Sequence, residues 1–141
     1  MIRTLDLTNQ NEINQVMRIW LFSNLDAHPF INKNYWQSHF DEVQAALTEA
    51  EVYVEVRDNI ITGFIGLVKN YIAGLFVKRE FRHQGIGTQL LKYVQAKYST
   101  LTLEVYKQNT TAMAFYRDFG FKIINEQIES ETGALEYIMK L

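Results

Sequence analysis

The sequence predicts an α/β (α+β) fold: a mixed central sheet of about seven strands flanked by four helices, in the order β-α-α-β-β-β-α-β-α-β-β. Residues 1–141 are expected to form a single domain. Three observations carry this expectation. Apolar residues recur at helical spacing in four segments and alternate in most of the rest. One helical segment separates the strand ending at Val77 from the strand starting near Thr100, which points to a parallel crossover inside the sheet. The chain has 141 residues, 48% of them hydrophobic and 21% charged, enough to bury a core without crosslinks.

Along the chain, residues 2–5 read as a short first strand. Residues 9–22 put Ile13, Val16, Met17, Ile19 and Trp20 on one helical face. Residues 23–34 hold the only proline, Pro29, and read as a polar and aromatic connection. Residues 35–50 read as a second helix, with Trp36, Phe40, Val43, Ala46 and Leu47 on one side. The pattern then changes to alternation at 51–57, followed by the turn signal Asp58-Asn59. Residues 60–68, interrupted by Gly63 and Gly66, and residues 71–77 complete a three-stranded meander. A polar loop, 78–84, leads into a helix over 85–98 with Ile86, Leu90, Leu91 and Val94 facing the core. A strand at 100–106, a short helix at 110–119 and strands at 122–128 and 135–141 finish the chain, with a free sheet edge expected near the last of them.

Composition removes several function classes. There is no cysteine, so a disulfide framework, a Cys-type zinc site and a cysteine nucleophile are excluded. No apolar run approaches the ~20 residues that span a bilayer, and the first residues lack a signal-peptide core, so a cytoplasmic location is expected. The formal net charge of −2 and pI near 5.9 argue against nucleic acid or an anionic membrane as partner. The three histidines show no metal-ligand spacing, and no metal is expected.

The segment richest in chemistry runs from Gly74 to Leu91. A strand enters a basic loop with two glycines one residue apart, and a helix starts there. Glycine permits tight turns and close approach to the backbone. The first turn of a helix leaves N–H groups unpaired, and its dipole favours an anion. Together these suit a pyrophosphate. Lys78, Arg79, Arg82 and His83 add local positive charge. A solvated basic rim around a plain loop fits the same residues. The P-loop pattern has no match, and the dinucleotide pattern fails because Leu90 stands where its third glycine should be.

Arg82-His-Gln-Gly-Ile-Gly87 resembles the R-x-x-G-x-G signature of the GCN5-related N-acetyltransferase (GNAT) family. Asn109, Ala114-Phe-Tyr116 and Gly120-Phe121 resemble that family's following N-x-x-A-x-x-F-Y-x-x-x-G-F stretch. The element order is similar too, so the resemblance covers the whole chain, with small bacterial single-domain members nearest in style. It implies acetyl-coenzyme A as co-substrate, with its pyrophosphate on Arg82, His83, Gln84, Gly85, Ile86, Gly87 and Thr88. Its pantetheine arm would lie along Leu75, Phe76 and Val77, and Asn109 would supply a side-chain contact. A binding module on the same fold without transfer activity is the competing reading.

The implied reaction is direct attack of an amine on a thioester. The resemblance places the oxyanion-binding amide near Phe76 or Val77 and the proton donor to the thiolate at Tyr116, whose hydroxyl is protonated at neutral pH. Asn109 also suits a helix N-cap, and Tyr116 also suits a core aromatic. For the base, His28, Glu104, Glu55 and water stand side by side. The acceptor pocket should draw on Trp20, His28, Phe30, Trp36, His39 and Tyr71, residues the core needs as well. The acceptor is a small-molecule or peptide amine, and the protein a monomer or homodimer.

Overall fold

The computed structural model describes residues 1–141. Its order is β1 (Ile2–Thr4), α1 (Gln10–Ala27), α2 (Lys33–Ser38), α3 (Phe40–Ala46), β2 (Glu51–Arg57), β3 (Ile60–Val68), β4 (Tyr71–Val77), a 3₁₀ turn (Arg79–Phe81), α4 (Ile86–Gln95), β5 (Thr102–Tyr106), α5 (Thr110–Phe119), β6 (Lys122–Ile128) and β7 (Leu135–Lys140). The seven strands make one sheet in the order β1-β2-β3-β4-β5-β7-β6. All neighbours are antiparallel except β4 and β5, the crossover pair.

Three sequence expectations change. The second helix is two short ones, α2 and α3, broken at His39. At the break the Ser38 hydroxyl donates to the Tyr35 carbonyl, an alternative to continuing the helical ladder. α1 continues five residues past Phe22 to Ala27, because Leu21, Asn24 and Leu25 extend its packed face. The Asn24 amide is buried and donates to the Trp20 carbonyl one turn back. The free edge is β6, not β7: the last strand folds back between β5 and β6 and is paired on both sides.

The core lies in two layers. On one face of the sheet α4 and α5 pack Ile86, Leu90, Leu91, Val94 and Met113 onto Ile65, Leu67, Ile72, Leu103 and Met139. On the other, α1 packs Val16, Met17 and Ile19 onto Val52, Val54, Ile61 and Phe64. A smaller aromatic cluster, Ile31, Trp36 and Tyr106, closes the end near α2.

Strand β4 changes register part-way. Gly74 pairs with Gly66 and Ile72 with Leu67, which leaves Ala73 as an extra residue. Such a bulge bends its strand and reverses the alternation of faces beyond it. Ile72 therefore faces α4 and α5, and so do Leu75 and Val77 on the far side of the bulge. Pairing with β5 stops at the same point: only Tyr71 with Thr102 and Ile72 with Leu103 are matched. Beyond Ile72 the two strands part.

Gly63 holds the helix side of this fork. A β-carbon there would lie 2.9 Å from the Phe76 carbonyl oxygen and 3.2 Å from Ile86 Cγ2. At Gly66 it would meet only Val52 Cγ2, at 3.9 Å. Gly63→Ala is expected to cost about 1–3 kcal/mol, the range for overpacking. Gly66→Ala should stay within about 1 kcal/mol of wild type, since it also gains strand-favourable backbone restriction. Equilibrium denaturant unfolding of both variants checks the contrast.

Candidate active site at the fork of the sheet

Where β4 and β5 separate, a cleft of about 1100 Å³ opens. One wall is the strand itself: Leu75, Phe76 and Val77 all line it. The Lys78 N–H donates to the Thr62 carbonyl at 2.7 Å, so Lys78 and Thr62 form a hydrogen-bonded pair of the antiparallel ladder. Alternation then commits the Phe76 N–H to β3 and turns the backbone groups of Leu75 and Val77 toward the open edge. Of the two amides named from the sequence, only Val77 faces the cleft. The Val77 carbonyl already accepts from Arg82 Nε at 3.1 Å.

The floor is the loop before α4. Arg82, His83, Gly85, Ile86, Gly87 and Thr88 all border the cleft. Gly85 is the N-cap of α4 with φ +80°, left-handed backbone that a glycine adopts without strain, and no side chain caps the helix. The first-turn N–H groups of a ten-residue helix are thus left toward the cleft. His83 is also left-handed, at φ +64°. Gln84 departs from its expected place: its side chain accepts from Arg57 Nη1 at 2.9 Å and does not border the cleft. Arg82 Nη1 stands 3.8 Å from Asp26 Oδ2, at the end of α1.

The third wall is α5. Asn109 is its N-cap, with Oδ1 accepting from the Ala112 N–H at 3.2 Å. Tyr116 is buried as a ring, packed against Phe115 and Phe121. Its hydroxyl has no hydrogen-bond partner in the protein and is not sealed from solvent, and the residue borders the cleft. Burial pushes that hydroxyl further above its ordinary pKa, so it is protonated at neutral pH. The sequence did not pick out Ser23, Gln108, Thr110 or Thr111, which also border the cleft. For Ser23, in α1, the available signal was Leu25, four residues after Leu21.

The base candidates fall in different places. Glu55 is buried away from the cleft. Burial alone would raise its pKa, yet hydrogen bonds from the Met1 ammonium and Thr62 hold it low. Thr62 Oγ1 donates to it at 2.5 Å and Arg57 Nε at 3.1 Å, so it is a structural anion and not a base. His28 borders the cleft but is buried, and burial pushes its imidazole down to about 4, the Asn24 backbone acting weakly the other way. It is uncharged at neutral pH. Glu104 is the first β5 residue past the last pair with β4, on the face opposite α4. Its carboxyl is held above the usual range, first by partial burial and then by Glu136 and Glu129.

Of the aromatic residues expected around the acceptor, His28 and Phe30 border the cleft. Trp36 is core, and Trp20 packs against the same clusters. His39 Nε2 lies 2.6 Å from Glu131 Oε2 in the β6–β7 turn. Tyr71 is half-buried on the Glu104 face, where burial and then Glu104, Glu136 and Glu129 push its hydroxyl up to about 12. No cluster of acidic and histidine side chains could hold a metal ion, and no helix is long and apolar enough to cross a membrane.

Comparison with known proteins agrees with this geometry. Residues 23–141 match the acetyltransferase (GNAT) domain family. The chain is 34% identical over 132 residues to the peptidyl-lysine N-acetyltransferase YiaC of Escherichia coli, covering 92% of this chain and 90% of that one. It is 30% identical over 127 residues to the peptidyl-lysine N-acetyltransferase YjaB of Salmonella typhimurium, covering 89% and 88%. The solution structure of apo YjaB from Escherichia coli superposes with a TM-score of 0.85 at 25% identity, over 99% of this chain and 95% of that one. An aminoglycoside 6'-N-acetyltransferase crystallised with coenzyme A shares the fold at a TM-score of 0.78 and 17% identity, over 100% and 96%. This chain belongs to the GNAT family and is an N-acetyltransferase that takes its acetyl group from acetyl-coenzyme A.

Proposed function

We propose that the acceptor is the ε-amine of a lysine in a peptide or protein, and that residues 1–141 act as one catalytic domain in the cytoplasm. The observation that carries the site assignment is the meeting, in one cleft, of an open β4 edge, an uncapped α4 terminus and an unpartnered Tyr116 hydroxyl. The lysine reading is supported by the likeness to YiaC and YjaB. It is supported too by Glu104, Glu129 and Glu136, whose negative charge around Tyr71 suits an approaching ammonium.

In this reading the α4 amides and Arg82 hold the pyrophosphate, with His83, Gly85, Ile86, Gly87 and Thr88 shaping the cradle. Gln84 would take part through its backbone only. Leu75 and Val77 pair with the pantetheine arm as a further strand would, and Phe76 borders it. Glu104 takes a proton from the acceptor ammonium, directly or through water, and its raised pKa brings it nearer the base strength the task requires. The amine nitrogen then bonds to the thioester carbon, and the Val77 N–H is placed to stabilise the developing oxyanion. As the carbon–sulfur bond breaks, Tyr116 gives its proton to the thiolate.

Acetylation of lysine-bearing peptides, followed by coenzyme A release and by mass, tests the acceptor. Transfer to small amines with none to lysine peptides overturns it. Three variants test the roles. In Gly87→Val the β-carbon would already lie 3.4 Å from Phe115 and 3.8 Å from Val77 Cγ2. Its two further methyls add bulk at the helix start where phosphates would approach the amides, and acetyl-coenzyme A binding measured by calorimetry should be lost from a protein that still folds. Tyr116→Phe should lower kcat at least roughly tenfold, at the low end of general-acid effects. Its acetyl-coenzyme A affinity and Tm should be near normal, and an unchanged kcat would return Tyr116 to the core. Wild-type kcat/KM should fall as pH drops through the raised Glu104 pKa, because only the carboxylate accepts a proton. Glu104→Gln should lose at least roughly tenfold at neutral pH and flatten that acidic limb.

A further inference from the structure

We infer that His28 is a positioning residue for coenzyme A: it fixes the Asn109 side chain so that one amide hydrogen is left to face the cofactor. The inference rests on the active-site reading above and goes beyond it by giving His28 a task other than base.

Asn109 caps the start of α5. Its Oδ1 accepts from the Ala112 backbone N–H. A backbone N–H can only donate, so that side of the amide must be the oxygen. The other side, Nδ2, therefore faces His28 Nε2, at 3.2 Å. Nδ2 is a donor only, so Nε2 must accept, and the imidazole carries its single proton on Nδ1. Geometry alone fixes the tautomer.

The environment of Nδ1 shows why histidine stands here. That nitrogen is buried and makes no hydrogen bond of good geometry, although the Asn24 backbone lies near the ring. Sealing an unmet donor is costly. A phenylalanine would avoid that cost and would fill the same space: the ring stacks on Trp36 at 5.2 Å and meets Tyr106 edge-on at 4.9 Å and Phe30 at 5.6 Å. What histidine offers and phenylalanine lacks is an acceptor at Nε2. The one group that uses it is Asn109.

The consequence falls on the cleft. Both residues border it. Asn109 has two amide hydrogens and one oxygen. The oxygen is taken by α5 and one hydrogen by His28. One hydrogen remains, and the amide plane that carries it is held from both sides. His28 ends α1 while Asn109 begins α5, so the contact also ties the acceptor-side helix to the helix that carries Tyr116.

Calorimetric titration with coenzyme A tests this on wild type, His28→Phe, His28→Gln, Asn109→Ala and the His28→Phe/Asn109→Ala double variant. Steady-state kinetics at saturating acetyl-coenzyme A accompany it. His28→Phe should weaken coenzyme A binding by roughly three- to tenfold, the scale of one neutral hydrogen bond, with saturated kcat within about twofold of wild type. His28→Gln should restore most of the affinity, because its carbonyl oxygen can accept from Nδ2. The double variant should bind no more weakly than Asn109→Ala alone, since the two residues act as a unit. His28→Leu, smaller and equally without an acceptor, carries the same expectation should phenylalanine not fit. Wild-type affinity in the folded Phe and Leu variants, or losses that add in the double variant, overturns the inference. So does a roughly hundredfold fall in saturated kcat at unchanged affinity, which would make His28 a base. A wild-type protein that fails to bind coenzyme A overturns the site reading itself, a distinct outcome.

Discussion

The site depends on the parting of β4 from β5. Two neighbouring parallel strands normally satisfy each other's backbone groups along their whole length. Here the extra residue at Ala73 ends the pairing after Ile72. The backbone groups of Leu75 and Val77 are left without a strand partner on that side. An unpaired strand edge inside a fold is ordinarily a liability. In this protein it forms one wall of the cleft, with backbone groups that a ligand could pair with as a strand would. The bulge also turns Leu75 and Val77 onto the α4 face, so the same local insertion opens the gap and keeps its rim apolar.

Other features of the cleft follow from that opening. The crossover from β4 to β5 must pass over the gap, and it does so with α4, whose first turn comes to lie beside the open edge. Gly63 lets the Phe76 carbonyl and Ile86 approach closely enough for the helix to sit there. On the far side α5 starts at Asn109, close to where β5 ends, and brings Tyr116 to the same space. Three elements distant in sequence therefore converge on one fork.

Charge is divided across the sheet. The loop before α4 carries Lys78, Arg79 and Arg82, a positive margin on a protein whose net charge is −2. The opposite face of β5 and the β6–β7 hairpin carry Glu104, Glu129 and Glu136; partial burial, and then the other two carboxylates, raise the proton affinity of Glu104. Between the two lies Tyr116, with its hydroxyl kept protonated by an apolar surrounding. A donor that keeps its proton and a carboxylate that binds one more readily than usual stand on either side of the fork. Separation by environment of this kind lets two titratable groups keep different protonation states at the same pH.

The sequence by itself determined the element types, most of their bounds, and the glycine loop before α4. These are local properties: the spacing of apolar residues, the turn chemistry of Asp58-Asn59, and glycines at 85 and 87 that lie within one loop. It also carried Asn109 and Tyr116, because their spacing from Gly120-Phe121 is a short-range pattern. The break at His39 and the insertion of β7 between β5 and β6 were not legible, and the extension of α1 to Ala27 had only Leu25 as its signal. Each is decided by which partner a segment finds in space. The base candidates show the same division. Glu55, His28 and Glu104 look alike as isolated titratable residues. Tertiary structure sent the first to an ion pair, sealed the second against aromatic rings and left the third at the fork. A side chain's proton affinity is set by burial and by charges from other elements, and neither is a property of its neighbours in sequence.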